Sequence, residues 1–374
     1  MKTQTQAVDE SRWGAGPVVP TRYWHALPDG RVQCDVCPHY CTLREGQQGL
    51  CFVRARQGDQ IVLTTYGRSS GFCVDPIEKK PLYHFLPGTP VLSFGTAGCN
   101  LSCRFCQNWD ISKSREIEKL SNEASPDQIA LAAREFGCRS VAFTYNDPTI
   151  FLEYAVDVAR ACHEVGVRTV AVTAGYICPE PREDFYRHVD AANVDLKAFT
   201  EKFYREVTGA KLQPVLDTLL YLRNETSVWL EITNLVIPGH NDSVEEIERM
   251  TRWIVENLGS DTPVHFSAFH PDWKMRSVPP TPLATLRRAR QIAIANGVRY
   301  VYTGNVHDPE GESTLCHGCG DVVIGRDGYD LTEWNLTAEG RCRICATPLP
   351  GVLEEWPGVW IGRPLPVRVG SSVA

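Results

Sequence analysis

From about residue 90 to residue 308, short apolar and β-branched runs alternate with longer stretches whose apolar positions recur at helical spacing. Seven runs read as strands: Val91 to Gly95, Ser140 to Tyr145, Arg168 to Thr173, Asn193 to Leu196, Val228 to Asn234, Val264 to Phe269 and Arg299 to Tyr302. Between them the helical pattern covers Pro126 to Phe136, Ile150 to Val165, Pro181 to Val189, Pro214 to Arg223, Ser243 to Leu258 and Pro282 to Asn296. Ser125-Pro126-Asp127 and Asn241-Asp242-Ser243, the latter followed by Glu245 and Glu246, supply the oxygens and negative charge that a first helical turn favours. Alternating strands and helices predict an α/β fold in which repeated βα units build a parallel sheet. The pattern alone fits a βα barrel and a doubly wound sheet equally.

The flanks differ. Residues 1–87 are loop-rich, and residues 309–374 hold two cysteine pairs, several glycines and a Pro-rich tail. Neither flank has the apolar periodicity to bury a core unaided, so metal staples make physical sense there. The expected organisation is a cysteine-rich segment over 1–87, a barrel over 88–308 and a zinc-ribbon or rubredoxin-like segment over 309–374. Asp75 to Gly88 reads as a loop leading into the barrel. No solenoid-type repeat is present.

With 374 residues and 43% apolar content, the chain can fill a substantial core. Its net charge is -7, and the one dense basic patch, Arg287-Arg288-Ala289-Arg290, falls in a helix-like stretch where a solvated face explains it, so nucleic acid is not implied. No apolar run approaches the ~20 residues that span a bilayer. The opening Met1-Lys2-Thr3-Gln4-Thr5-Gln6 has no apolar export core. A cytoplasmic protein without a membrane partner is expected.

Of the fifteen cysteines, eleven fall into three short-spaced groups, which in a reducing compartment read as metal ligands. Cys73, Cys138, Cys162 and Cys178 stand singly; Cys138 and Cys162 occupy apolar helical positions and are expected as buried, inert thiols. Just after the first strand, Cys99, Cys103 and Cys106 have CxxxCxxC spacing. Three thiolates suit a [4Fe-4S] cluster with one iron left open to another ligand, whereas zinc favours four ligands in paired C-x2-C units. Cys34, Cys37, Cys41 and Cys51 supply four thiolates, enough for zinc or an auxiliary iron-sulfur cluster, with a structural staple as the simpler reading. Cys316, Cys319, Cys342 and Cys345 form two C-x2-C knuckles 22 residues apart, the pattern of a structural zinc clip, with His317 as a competing ligand inside the first knuckle.

Polar and sharply turning residues follow the strands at their C-terminal ends, where ligand sites of both barrels and open α/β sheets gather. They include Asn146-Asp147-Pro148, Thr173-Ala174-Gly175-Tyr176, the Asp195 and Lys197 pair, and Val236-Ile237-Pro238-Gly239. His265 and His270 can line a substrate pocket or donate protons, but a lone histidine is more often structural, and neither receives a role.

The run Gly98 to Cys106, with Phe105 just before the last cysteine, resembles the radical SAM superfamily. The resemblance implies a partial (β/α)6 barrel, a [4Fe-4S] cluster on Cys99, Cys103 and Cys106, and S-adenosylmethionine on the open iron as the source of a 5'-deoxyadenosyl radical. Asn146-Asp147-Pro148 resembles the Gly-Gly-Glu-Pro-like motif that binds the SAM amino group, with a carboxylate one methylene shorter. Thr173-Ala174-Gly175 resembles a Thr-Asn-Gly segment near SAM, although Ala174 lacks the polar contact. Asp195-Leu196-Lys197 matches activase-like enzymes, and the Val-Ile-Pro-Gly turn resembles the segment that packs on adenine. Asn146, Asp147, Gly175, Asp195 and Lys197 are therefore the implied SAM-placing residues.

A closer resemblance runs from about Cys34 to Trp360. Asp75 to Gly88, Gly98 to Ile111, Asn193 to Phe199, His265 to Pro271 and Tyr300 to Asn305 are similar to the radical SAM component of the AmmeMemoRadiSam system, itself similar to pyruvate formate-lyase activating enzymes. The implied activity is hydrogen abstraction by a radical SAM oxidoreductase, as from a glycine or another residue of a partner protein. Implied partners are a flavodoxin- or ferredoxin-type electron donor and Memo-like and Ammecr-like proteins. Two other readings stand beside it: a metal-stapled protein-binding scaffold with a degenerate SAM site, supported by the Asp147 and Ala174 departures, and a radical enzyme acting on a small metabolite.

Overall fold

The computed structural model describes residues 18–113, 122–360 and 362–370. Met1 to Gln6, read above for an export signal, lie outside the described residues. The apolar runs pair into one sheet of β1 (Phe72–Pro76), β2 (Pro90–Phe94), β3 (Ser140–Phe143), β4 (Arg168–Thr173), β5 (Ala191–Asp195), β6 (Trp229–Val236), β7 (Val264–Ala268), β8 (Val301–Gly304) and β9 (Leu365–Val367). Strands β2 to β8 are parallel and adjacent in chain order. Among the described residues, helices of eight residues or more in the connections are α1 (Pro126–Glu135), α2 (Leu152–Glu164), α3 (Pro179–Tyr186), α4 (Gln213–Glu225), α5 (Val244–Leu258) and α6 (Leu283–Ala295). This is the expected (β/α)6 arrangement with a further strand. The sheet does not close, since β8 ends one side and the antiparallel pair β1 and β9 ends the other.

Local chemistry explains the helix starts. Ser125 and Gln128 form a reciprocal capping box at α1, and the Ser243 hydroxyl accepts from Glu246 N–H at α5. The helix expected from Ile150 begins instead with a 3-10 turn over Pro148–Phe151, because the Asp147 carboxylate caps Thr149 N–H.

The two faces of each strand separate by alternation. Leu92, Phe94, Val141, Phe143 and Ala171 join the large core with the helices, whereas Val91, Ala142, Val170 and Ala191 form a second apolar cluster. That cluster is completed by Ile77, Leu82, Phe85 and Leu86. Of the stretch expected as a lead-in loop, Asp75 and Pro76 end β1, and residues 77–88 form a plug packed on the inner face of the sheet, with a 3-10 turn over Ile77–Lys79. Its apolar residues are aperiodic because they fit an existing surface, which is why pattern alone missed their burial.

The outer segments dock through buried charge. Arg54 Nη2 lies 2.5 Å from Glu153 Oε2 on α2, and Arg54 Nε donates to the Ile150 carbonyl at 2.9 Å. Arg326 Nη2, from the antiparallel strands Val322–Asp327 and Asp330–Trp334, donates to the Tyr83 carbonyl in the plug at 2.7 Å. The dense basic patch is spent locally, with Arg287 on Asp308 and Arg290 on the Val301 carbonyl. Among the described residues no helix is long and apolar enough to cross a membrane.

Candidate active site

The inward positions of the strands change character along their length. Beyond the apolar ends covered by the plug come Asn193 and Asp195 on β5, Thr233 and Leu235 on β6, and Ser267 on β7. These line a cavity of about 300 Å³ together with Cys99, Cys103 and Cys106. Asn146, Asp147, Ala174 and Lys197 line it as well.

The cysteine loop is held from outside. Ser102 N–H and Arg104 N–H donate to the carbonyls of Thr208 and Val207 at 2.8 and 2.9 Å, and Gly98 N–H donates to the Ile111 carbonyl at 3.1 Å. Gly98 has φ of +83°, and a Cβ there would lie 2.0 Å from the Cys51 carbonyl oxygen, so both conformation and space require glycine. Burial, then the nearby Asp147 carboxylate, push the Cys99 thiol up to about 12; burial also raises Cys103.

Asn146 braces this loop. Its Nδ2 donates to the Thr96 and Gly98 carbonyls, each at 2.8 Å, and its Oδ1 accepts from Thr96 N–H at 3.3 Å. Asp147, 3% exposed, accepts from Thr149 N–H, Thr173 Oγ1 and Ala174 N–H at 3.0, 3.0 and 2.8 Å. The carboxylate thus ties the end of β3 to the end of β4. Gly175 turns with φ of +65° and accepts no Cβ without crowding Val194 at 3.1 Å.

Asp195 and Lys197 are brought together as an ion pair, Nζ to Oδ2 2.8 Å. Burial would depress the Lys197 ammonium, but the Asp195 carboxylate outweighs it and holds its pKa above the ordinary lysine range. Its Nζ also lies 5.7 Å from the Phe105 ring centroid. One face of the cavity can therefore meet an anion through Lys197 and a cation through Asp195, beside three thiols.

Other residues lie elsewhere. His265 is buried below the cavity, its Nε2 2.7 Å from Glu231 Oε2, so it belongs to an internal network rather than the lining. His270 borders a neighbouring recess shared with Gln107 and Asn305. Val236 and Ile237 are buried, and only Leu235 of that stretch reaches the cavity. Gln107, Asn193, Thr233, Ser267 and Asn305 were missed as lining; period-two alternation from Asp195 and Leu235 points to Asn193 and Thr233.

Residues 94–254 match the model of the Radical SAM superfamily. An uncharacterized protein of Methanocaldococcus jannaschii is 40% identical over 332 residues, covering 88% of this chain and 98% of that one.

The chain belongs to the radical SAM superfamily.

It is accordingly an enzyme of the radical SAM class, for which the superfamily implies a [4Fe-4S] cluster and S-adenosylmethionine. It is also similar to a pyruvate formate-lyase-activating enzyme of Clostridium pasteurianum, 26% identical over 176 residues, which covers 46% of this chain and 72% of the relative. A 4-hydroxyphenylacetate decarboxylase activating enzyme of Clostridioides difficile is 28% identical over 183 residues, 44% of this radical SAM chain and 57% of its own.

The C-terminal cysteines form a separate site. Sγ atoms of Cys316, Cys319, Cys342 and Cys345 all lie within 4.8 Å of one another. The Cys316–Cys345 and Cys319–Cys342 pairs are 3.4 and 3.8 Å apart. A tetrahedron of sulfurs about 2.3 Å from a zinc ion has edges of about 3.8 Å, so the donor set fits zinc. His317 is engaged by the Tyr300 hydroxyl, 2.7 Å from its Nδ1. Cys34, Cys37, Cys41 and Cys51 line a different cavity, against the 3-10 turn Pro148–Phe151 and Asn100 of the cysteine loop.

Proposed function

We propose that this radical SAM enzyme abstracts hydrogen from a residue of a partner protein, as in glycyl-radical activation. Cys99, Cys103 and Cys106 hold the [4Fe-4S] cluster, and S-adenosylmethionine occupies the cavity along the strand ends. The single observation that carries this reading is the convergence of the three CxxxCxxC thiols and the Asp195–Lys197 pair on one cavity of about 300 Å³. When bound, the cluster supplies an electron that cleaves a carbon-sulfur bond of SAM and so provides the hydrogen-abstracting radical. Asp195 accepts from the SAM ammonium and Lys197 donates to its carboxylate. Asn146 and Asp147 fix the loop and the ends of β3 and β4, and Gly175 allows the following turn.

The motif resemblance from Cys34 to Trp360 supports a place as the radical component of the AmmeMemoRadiSam system, with Memo-like and Ammecr-like partners and a flavodoxin- or ferredoxin-type donor. Similarity to two activating enzymes supports a protein substrate. Zinc at Cys316, Cys319, Cys342 and Cys345 staples the C-terminal segment.

The test is 5'-deoxyadenosine formation, read by mass spectrometry after anaerobic reconstitution with iron and sulfide, reduction and addition of SAM. Wild type is expected to make it and Cys99→Ala to make none. Equal product from a fully reconstituted Cys99→Ala protein would sink the assignment.

A further inference from the structure

We infer that Cys34, Cys37, Cys41 and Cys51 form a second iron-sulfur site, of [4Fe-4S] type, sharing a wall with the CxxxCxxC loop. The four thiols line one recess whose other walls include Val36, Leu50 and Ile150. Its geometry differs from that of the C-terminal quartet. Among the described residues, the C-terminal cysteines are the one set whose ligand atoms gather within 4.8 Å. The N-terminal thiols line a common recess without gathering to that spacing.

That difference separates the two metals. Zinc is one ion, and its four sulfurs must approach each other to about 3.8 Å. A four-iron cubane has its own irons and sulfides between the ligand sulfurs, which stand further apart around an inclusion of several atoms.

The location gives the site its interest. The backbone at Gly98 lies directly against the Cys51 carbonyl, and His39 Nε2 is 2.7 Å from the Asn100 carbonyl. Asn100 lines the N-terminal cavity, while its neighbour Cys99 lines the large one. One short stretch of chain therefore belongs to both sites.

The test uses the full chain with Cys99, Cys103 and Cys106 all changed to Ala, which leaves the N-terminal quartet intact. After anaerobic reconstitution and desalting, this variant is expected to keep about four iron and four sulfide per chain, with an EPR signal on reduction. Adding Cys37→Ser should lower the iron or alter that signal. A triple variant without iron that carries two zinc ions per chain as isolated would overturn the proposal. Wild type with about eight iron would support both sites. Equal iron in wild type and triple variant would support the second site and count against the cluster assigned to Cys99, Cys103 and Cys106, so the two failures are distinguishable.

Discussion

His84 is a buried histidine with both ring nitrogens engaged, Nδ1 by the Pro350 carbonyl at 2.7 Å and Nε2 by the Tyr302 hydroxyl at 2.5 Å. Its backbone N–H donates to Glu231, which also accepts from Tyr83 N–H and meets His265. Burial lowers the His84 pKa from 6.5 to about 4 despite the Glu231 charge. The unfolded chain therefore binds a proton that the folded chain refuses, and stability falls as pH drops from about 6.5 toward 4. Glu231, held below its ordinary range by His265 against burial, acts in the same direction at lower pH. Lowering the pH from 7 to 5 should cost about 2 kcal/mol through His84 alone. Urea melts at several pH values would show it, with His84→Gln giving a flatter profile; parallel profiles would refute the assignment. At this scale the cysteine groups were legible because ligand spacing is local. The partners of His265 and Asn146 were not, since Glu231 and Thr96 are brought to them only by the sheet and the loop.

The seven parallel strands and six helices were legible at the level of elements because alternation and helical periodicity are properties of short windows. The plug was not: Ile77, Leu82 and Phe85 have no common period, and their burial depends on Val91, Ala142 and Val170 from three different strands. Likewise, Phe72–Pro76 lay within the flank read as loop-rich, although it pairs antiparallel with β2. The C-terminal hairpin gives an element-scale prediction. Val323, Ile324 and Leu336 share a small core with Cys316 and Cys342, too little to hold the hairpin alone. With the proposed zinc staple in place, chelation or Cys342→Ser should speed amide exchange over Thr314–Leu315, Val322–Asp327 and Asp330–Trp334 by at least tenfold while β3 to β6 remain protected. Unchanged exchange in the metal-free protein would remove the staple role.

The open sheet sets the behaviour of the whole molecule. β9 pairs with β1 through Leu365, Pro366 and Val367 and so covers a strand that would otherwise expose unpaired backbone. A chain ended before Leu365 should associate at high concentration and unfold at lower temperature than the full chain, as size-exclusion chromatography and thermal melts would record. Identical elution and melting would show that β9 contributes nothing to the edge. The open barrel itself was anticipated, but a sealing strand from the far end of the chain was not, because a short edge strand containing Pro366 carries almost no periodic signal. On a ribosome, β1 emerges long before β9, with the whole barrel translated in between. Until then the nascent sheet has a bare rim, and its protection during synthesis falls to chaperones or to the speed of elongation rather than to the protein's own contacts.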